Sequence, residues 1–194
     1  MRACLLALCL LAACTRSTDP RLYTLVADTS RTTYPIAATV EVRRPSIAGY
    51  LDRREIVLGV RDERLELARD SHWAEPLDAM LGRVLAANLA PRLPKSQVLT
   101  DLGSLGVVPA LRIDTELQRF EHGSEGLVLR AMVAIRRGAQ TTPTSLVTVE
   151  LVDRAAGHDS AAVVAALNGL VGKLADRVAS AVVAALAQPL DAPP

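Results

Sequence analysis

The 194-residue chain sets 22 Lys plus Arg against 21 Asp plus Glu and holds one Trp, one Phe and three Tyr. A chain this close to neutral and this poor in aromatic rings lacks the basic field and the stacking surfaces that nucleic-acid binders use, so nucleic acid is excluded as a partner. Its 50% hydrophobic share is almost wholly Ala, Val, Leu and Ile, which excludes a disordered or fibrous chain and points to an aliphatic core.

Met1 and Arg2 make a short positive start, and Ala3 to Ala13 carry no charge, the pattern of an export signal. That run falls well short of the roughly 20 residues a membrane-spanning helix needs. Leu11-Ala12-Ala13-Cys14 places a branched apolar residue and two small ones before a cysteine. Small side chains let the backbone enter a narrow protease site, and the Cys14 thiol is the nearby nucleophile able to take a diacylglycerol group before cleavage. The expected organisation is a cleaved lipoprotein signal at 1–13, a lipidated tether at 14–21, one domain at 22–188 and a loose tail at 189–194. Cys4, Cys9 and Cys14 all lie in the leader or at its edge, so the mature domain has no disulfide and must stand on its core.

Within the domain, Leu22 to Val26 and Ile36 to Val42 read as strands, with Val40 and Val42 sharing a face across Glu41. Ile56 to Val60 and Arg64 to Ala68 flank Arg61-Asp62-Glu63, a charged turn that predicts a hairpin. The period then changes: Leu77, Met80, Leu81, Val84, Leu85 and Leu89 recur at three- and four-residue steps, predicting an amphipathic helix from Pro76 to Ala90 that Pro91 and Pro94 end. Gln97 to Thr100 is short and β-like, and Asp101 to Gly106 is a glycine-bearing loop. Ala110 to Phe120 alternates strictly, with Leu111, Ile113, Thr115, Leu117 and Arg119 on one face. Leu127 to Ile135 and Leu146 to Val152 complete a three-strand meander. Val163, Leu167, Leu170, Leu174, Val178 and Val182 mark a last helix, capped by Asp159 or Ser160 and closed by Pro189. The predicted fold is α+β, a single domain with a mainly antiparallel sheet and two amphipathic helices packed on one face.

Sites of chemistry are scarce. His72, His122 and His158 are far apart in sequence, with no second ligand at metal spacing, so no metal or cofactor is expected. His158-Asp159 and Asp70-Ser71-His72 read as polar residues at helix entrances, not catalytic groups. Gly103-Ser104-Leu105-Gly106 lacks the lysine of a phosphate loop, and no Gly-x-Ser-x-Gly elbow occurs. No catalytic residue is assigned.

Two polar-aromatic clusters remain: Arg43 to Arg53, with Arg43, Arg44, Tyr50, Leu51, Asp52 and Arg53, and His72 to Leu77, with Trp73 and Glu75. The first puts an exposed Tyr and Leu beside charges on a loop, a mixture typical of protein contact surfaces. Trp73, just before a helix, folds back on it as a staple or joins the contact surface.

At these residues the chain resembles the PqiC/YmbA-like ABC-type transport auxiliary lipoproteins. The resemblance rests on Leu22-Tyr23-Thr24-Leu25, Val42 to Val57 with Pro45 and Tyr50-Leu51-Asp52-Arg53, Trp73-Ala74-Glu75-Pro76-Leu77, and Val84-Leu85-Ala86 with Asn88-Leu89 and Leu93-Pro94. Phe120-Glu121 and the alanine-rich last helix fit as well. Met132 departs from it, standing where such proteins often carry an aromatic, as does Ala161, where a tyrosine is common. The resemblance implies a non-enzymatic subunit of a lipid transport system that docks a periplasm-spanning MCE-domain partner at the outer membrane, with Cys14 as the lipid attachment site. Thr15, not an aspartate, follows that cysteine, which favours outer-membrane sorting. A possible homo-oligomer, a lipid carrier with an apolar cavity between sheet and helices, and an envelope hydrolase are the competing expectations.

Overall fold

The computed structural model describes residues 19–28, 32–100, 106–123, 126–154, 157 and 159–189. The leader with Cys14, most of the 101–106 loop, His158 and the tail from 190 lie outside the described residues. In chain order the elements are β1 (Arg21–Tyr23), β2 (Thr39–Val42), β3 (Ser46–Ile47), a 3-10 turn (Gly49–Leu51), β4 (Glu55–Arg61), β5 (Arg64–Trp73), α1 (Leu77–Arg92) and β6 (Gln97–Thr100). β7 (Leu111–Gly123), β8 (Gly126–Arg137), β9 (Ser145–Asp153) and α2 (Ser160–Ala187) follow.

The charged turn does form a hairpin. Asp62 and Glu63 both adopt left-handed φ, 49° and 62°, which is the backbone of a tight two-residue turn whose twist matches that of β4 and β5. β5 does not stop at Ala68 but runs to Trp73, because β1 pairs along its outer edge, Arg21 with Ser71 and Tyr23 with Trp73. Asp70-Ser71-His72, expected at a helix entrance, therefore lie within a strand.

The meander is antiparallel over its full length, β7 with β8 and β8 with β9. The strict alternation expected along β7 fails at one point, since the β7–β8 register slips between Leu117 and Arg119. One extra residue on β7 flips every later side chain to the other face. Phe120 consequently turns into the core at 1% exposure, and Arg119, expected beside Leu117, turns out. Along its other edge β7 receives β2, β3 and β4 in succession, all parallel to it. β2 carries β6, while β4 carries β5 and then β1, so the sheet forks on either side of β3. The long ladders are antiparallel, as expected; each parallel ladder spans only one to four paired positions.

α1 and α2 pack on each other and on one face of this sheet, α2 over β8 and β9 and α1 against β6 and β2. Leu81, Leu85 and Leu89 from α1 and Leu167, Leu170, Leu174 and Val178 from α2 bury their stripes against Ile113, Leu117, Phe120, Leu129 and Val133. Truncating any of these leucines to alanine costs about 2–5 kcal/mol. Pro76, expected as the first helical residue, is the N-cap just before α1, and Pro91, expected to end the helix, lies inside its last turn, which reaches Arg92. Asp159 caps α2, its carboxylate accepting from the Ala162 amide at 2.8 Å.

A buried polar bridge ties the two helices together. The Arg92 guanidinium, 0% exposed, donates from Nε to Asp176 at 2.7 Å, from Nη2 to the Gly172 carbonyl at 2.9 Å and from Nη1 to the Asn88 carbonyl at 2.8 Å. The Asn88 side chain in turn accepts the Asp28 amide at 2.9 Å, fastening the segment after β1 over the helix pair.

Candidate functional site

The two polar-aromatic clusters come together at the start of α1. Arg44 lays its guanidinium fork on Asp78 in the first turn, Nε to Oδ2 at 2.6 Å and Nη2 to Oδ1 at 2.9 Å. That hydrogen-bonded cation holds the Asp78 carboxyl below its ordinary range. Pro45 lies against Gly82, where an added Cβ would stand 3.1 Å from the proline ring, so α1 needs glycine here for close approach. Arg83, one residue on, pairs with Glu75. Arg44, Glu75 and Arg83 thus rim a small cavity of about 160 Å³ whose floor includes Val42 and Gly82. Arg43 reaches Asp114 on β7 at 3.7 Å, and Arg136 on β8 shares that carboxylate.

The rest of the first cluster is built inward. Leu51, expected on the surface, is only 2% exposed. Tyr50 is half-buried and its hydroxyl donates to the Glu121 carboxylate. Burial, reinforced by that acceptor, pushes the phenol well above its ordinary value. Glu121 is itself buried and also accepts from Arg119 Nε and the Phe120 amide, both at 2.8 Å. Arg53 folds back to the Tyr50 carbonyl at 2.8 Å. The Tyr50 turn is therefore clamped onto β7 just past its register slip, and of the Tyr50 to Arg53 stretch only Asp52 stands fully exposed. Trp73 closes β5 in the core at 4% exposure, its amide donating to the Arg54 carbonyl at 2.7 Å. Asp78, Gly82 and Glu121, which complete these contacts, were not singled out as site residues by sequence reasoning. The one available signal was Asp78 among the acidic residues of a helix's first turn.

Among the described residues no catalytic constellation emerges. His72 lies on β5 and His122 on β7, and among the described residues no three His, Cys, Asp or Glu converge as a metal site. Nor, among the described residues, is any helix long and apolar enough to cross a membrane. What the fold presents is an α+β domain with charged, ion-paired surfaces around a helix start.

The comparisons with known proteins make this specific. The chain matches the family described as ABC-type transport auxiliary lipoprotein component over residues 23–179, and it belongs to that family. It is accordingly a lipoprotein component of an ABC-type transport system, held at an envelope membrane, and the auxiliary role points away from catalysis. A crystal structure of a Xanthomonas campestris protein of the family designated DUF330 superposes with a TM-score of 0.68 at 16% identity, covering 81% of this chain and 91% of that one. Another crystal structure, titled an uncharacterized protein, gives 0.65 at 20% identity over 85% of this chain and 99% of that one. These likenesses show the shared fold. No curated protein matches.

Proposed function

We propose that this lipoprotein is the outer-membrane docking subunit of an ABC-type lipid transport system, lipidated on Cys14 and receiving a periplasm-spanning MCE-domain partner, and that it thereby supports envelope integrity. The observation that carries this reading is the family match, which runs through nearly the whole folded domain. The work is tethering: acyl chains fix the domain in a plane and raise its effective concentration for a partner reaching across the periplasm. Arg43, Arg44, Asp52, Arg53 and Glu75 supply the docking contacts, while Leu51 and Trp73 shape that surface from beneath and Tyr50 holds its turn in place.

Co-purification from detergent-solubilised envelopes tests the reading. The native lipoprotein is expected to retain an MCE-domain protein, and R44E and R53E to lower its recovery about tenfold, in the range of one lost charge-assisted contact and one new repulsion. C14S is expected to leave the membrane fraction. Recovery of no MCE-domain protein, or a C14S variant that is processed and pelleted unchanged, overturns it.

A further inference from the structure

Beside the start of α2 lies an open groove of about 550 Å³, separate from the surface around α1. Its walls are β1, β5 and the first turn of α2, with Tyr23, Leu58 and Leu67 giving it an apolar floor. Five charged side chains line it, Asp19, Arg21, Arg69, Asp70 and the α2 cap Asp159, and none makes an ion pair among the described residues. Ser71 lines it too, 6% exposed, and its hydroxyl makes no hydrogen bond among the described residues. Although the residue is largely enclosed, that hydroxyl keeps some accessible surface, so a ligand in the groove can reach it. The amides of Ser160 and Ala161 are the first two of α2 and have no intrahelical acceptor, whereas those of Ala162 and Val163 are taken by Asp159.

The charges decide which ligand fits. Arg21, Arg69, the Ser71 hydroxyl and two free amides make a seat for a phosphate. Asp19, Asp70 and the Asp159 cap stand beside it, and three carboxylates against two guanidinium groups disfavour a simple anion. A group carrying a phosphate and an ammonium a few ångströms apart satisfies both signs at once.

Chain direction says where such a group comes from. β1 runs parallel to β5, so the segment before Arg21 heads back along β5 towards the β4–β5 turn, and Asp19 already lines the groove. Cys14 is five residues before Asp19, a reach of at most about 17 Å for extended chain. Acyl chains at Cys14 therefore hold this groove within one short tether of the bilayer surface.

We propose that the groove between β5 and the start of α2 binds the zwitterionic headgroup of a membrane phospholipid, phosphate towards Arg21, Arg69 and Ser71 and ammonium towards Asp19 and Asp70. The bilayer as its source rests on the Cys14 anchor of the function proposed above; the site itself does not. Trp73, two residues beyond Ser71 on the same strand, provides a fluorescence reporter. The purified full lipoprotein is titrated with dihexanoylphosphatidylethanolamine, dihexanoylphosphatidylglycerol and inorganic phosphate. Saturable binding of the first is expected, several-fold tighter than of the other two, and weakened about tenfold in the R69Q/S71A variant with its melting temperature unchanged. Equal binding of all three, no saturable binding of the ethanolamine lipid, or an unaffected variant overturns the proposal. The mass of the Cys14 peptide in the same preparation separates the two readings. An unlipidated cysteine with binding retained overturns the anchor and supports the site, and a lipidated cysteine without binding overturns the site alone.

Discussion

Replacing Arg92 tests what joins the two helices. Its guanidinium is wholly buried and makes three bonds of 2.9 Å or less, to Asp176, Gly172 and Asn88. Breaking a buried ionic contact by removing one partner typically costs about 3–5 kcal/mol, most of it from the charge left behind. Here the partner left behind is mild, because the Asp176 side chain is 44% exposed and water can solvate it. The Gly172 and Asn88 carbonyls lie inside helices and keep their backbone partners. We therefore expect R92M, which preserves length and apolar bulk, to lose about 3 kcal/mol, a fall of about 6–12 °C in melting temperature for a domain of this size. R92K separates charge from geometry. One ammonium cannot span acceptors on two helices as the planar fork does, so R92K should fall at least as far as R92M despite retaining its charge. Thermal melts followed by far-UV circular dichroism and by Trp73 fluorescence read both. An R92M melting within 2 °C of the unmodified protein would refute the reasoning, since the bridge would then be replaceable by apolar packing.

Y50F removes the hydroxyl that Glu121 accepts and should cost about 1–2 kcal/mol in urea unfolding, leaving that buried carboxylate to Arg119 and the Phe120 amide. The same phenol is held neutral in the folded chain, its pKa raised above an ordinary value of 10.0. Its stabilising effect is thus complete below pH 10 and is lost above it as the unfolded chain ionises, so alkaline melts of the unmodified protein should fall more steeply than those of Y50F. G126A should destabilise by more than about 2 kcal/mol, because Gly126 has φ +137° and a Cβ there would collide with the Asp153 carbonyl oxygen; a soluble variant melting normally would contradict this. R44A should change stability by less than about 1 kcal/mol, since the Arg44–Asp78 pair is partly exposed, so lost partner capture in that variant reports docking, not unfolding.

What was legible in the residues tracks how each element declares itself. The stripes of α1 and α2, the β4–β5 turn and the β7–β8–β9 meander are periodic over many residues, and each was foreseen to within a few positions. The forked edge of β7 was not, because β2, β3 and β6 are two to four residues long and their parallel pairing depends on where β7 lies in space. The slip after Leu117 was equally hidden: Leu111 to Arg119 alternates without a flaw, and only the pairing with β8 reveals the extra residue. Arg92 stands past the expected helix end at Ala90, and Asn88 stands four residues after Val84 and so falls on the apolar stripe, the one hint that a polar bridge lay in the core. For the site, Arg43, Arg44 and Glu75 proved accessible, while Leu51 and Trp73 did not; a loop composition cannot say which of its apolar members turn inward.

That division bears on how partner recognition should be sought. The positions that carry the family likeness are largely interior. Leu25, Leu51, Trp73, Leu77, Asn88, Leu93, Phe120 and Glu121 are all buried, and Tyr50 is spent on holding its own turn against Glu121. Such residues are constrained by packing, so they identify the scaffold and are silent about what it touches. Any choice among partners has to be made by the exposed charges laid over that scaffold. Around α1 these are already matched in pairs, Arg44 with Asp78 and Arg83 with Glu75, in a domain whose formal charge is close to balanced. A partner docking there must compete for groups that have internal partners, which favours selective and salt-sensitive binding over strong binding. The groove beside α2 has the opposite character, with charges of both signs left unmatched. On the two proposals made above, the faces take different occupants, a protein that exchanges ion pairs at one and a small zwitterion that completes them at the other.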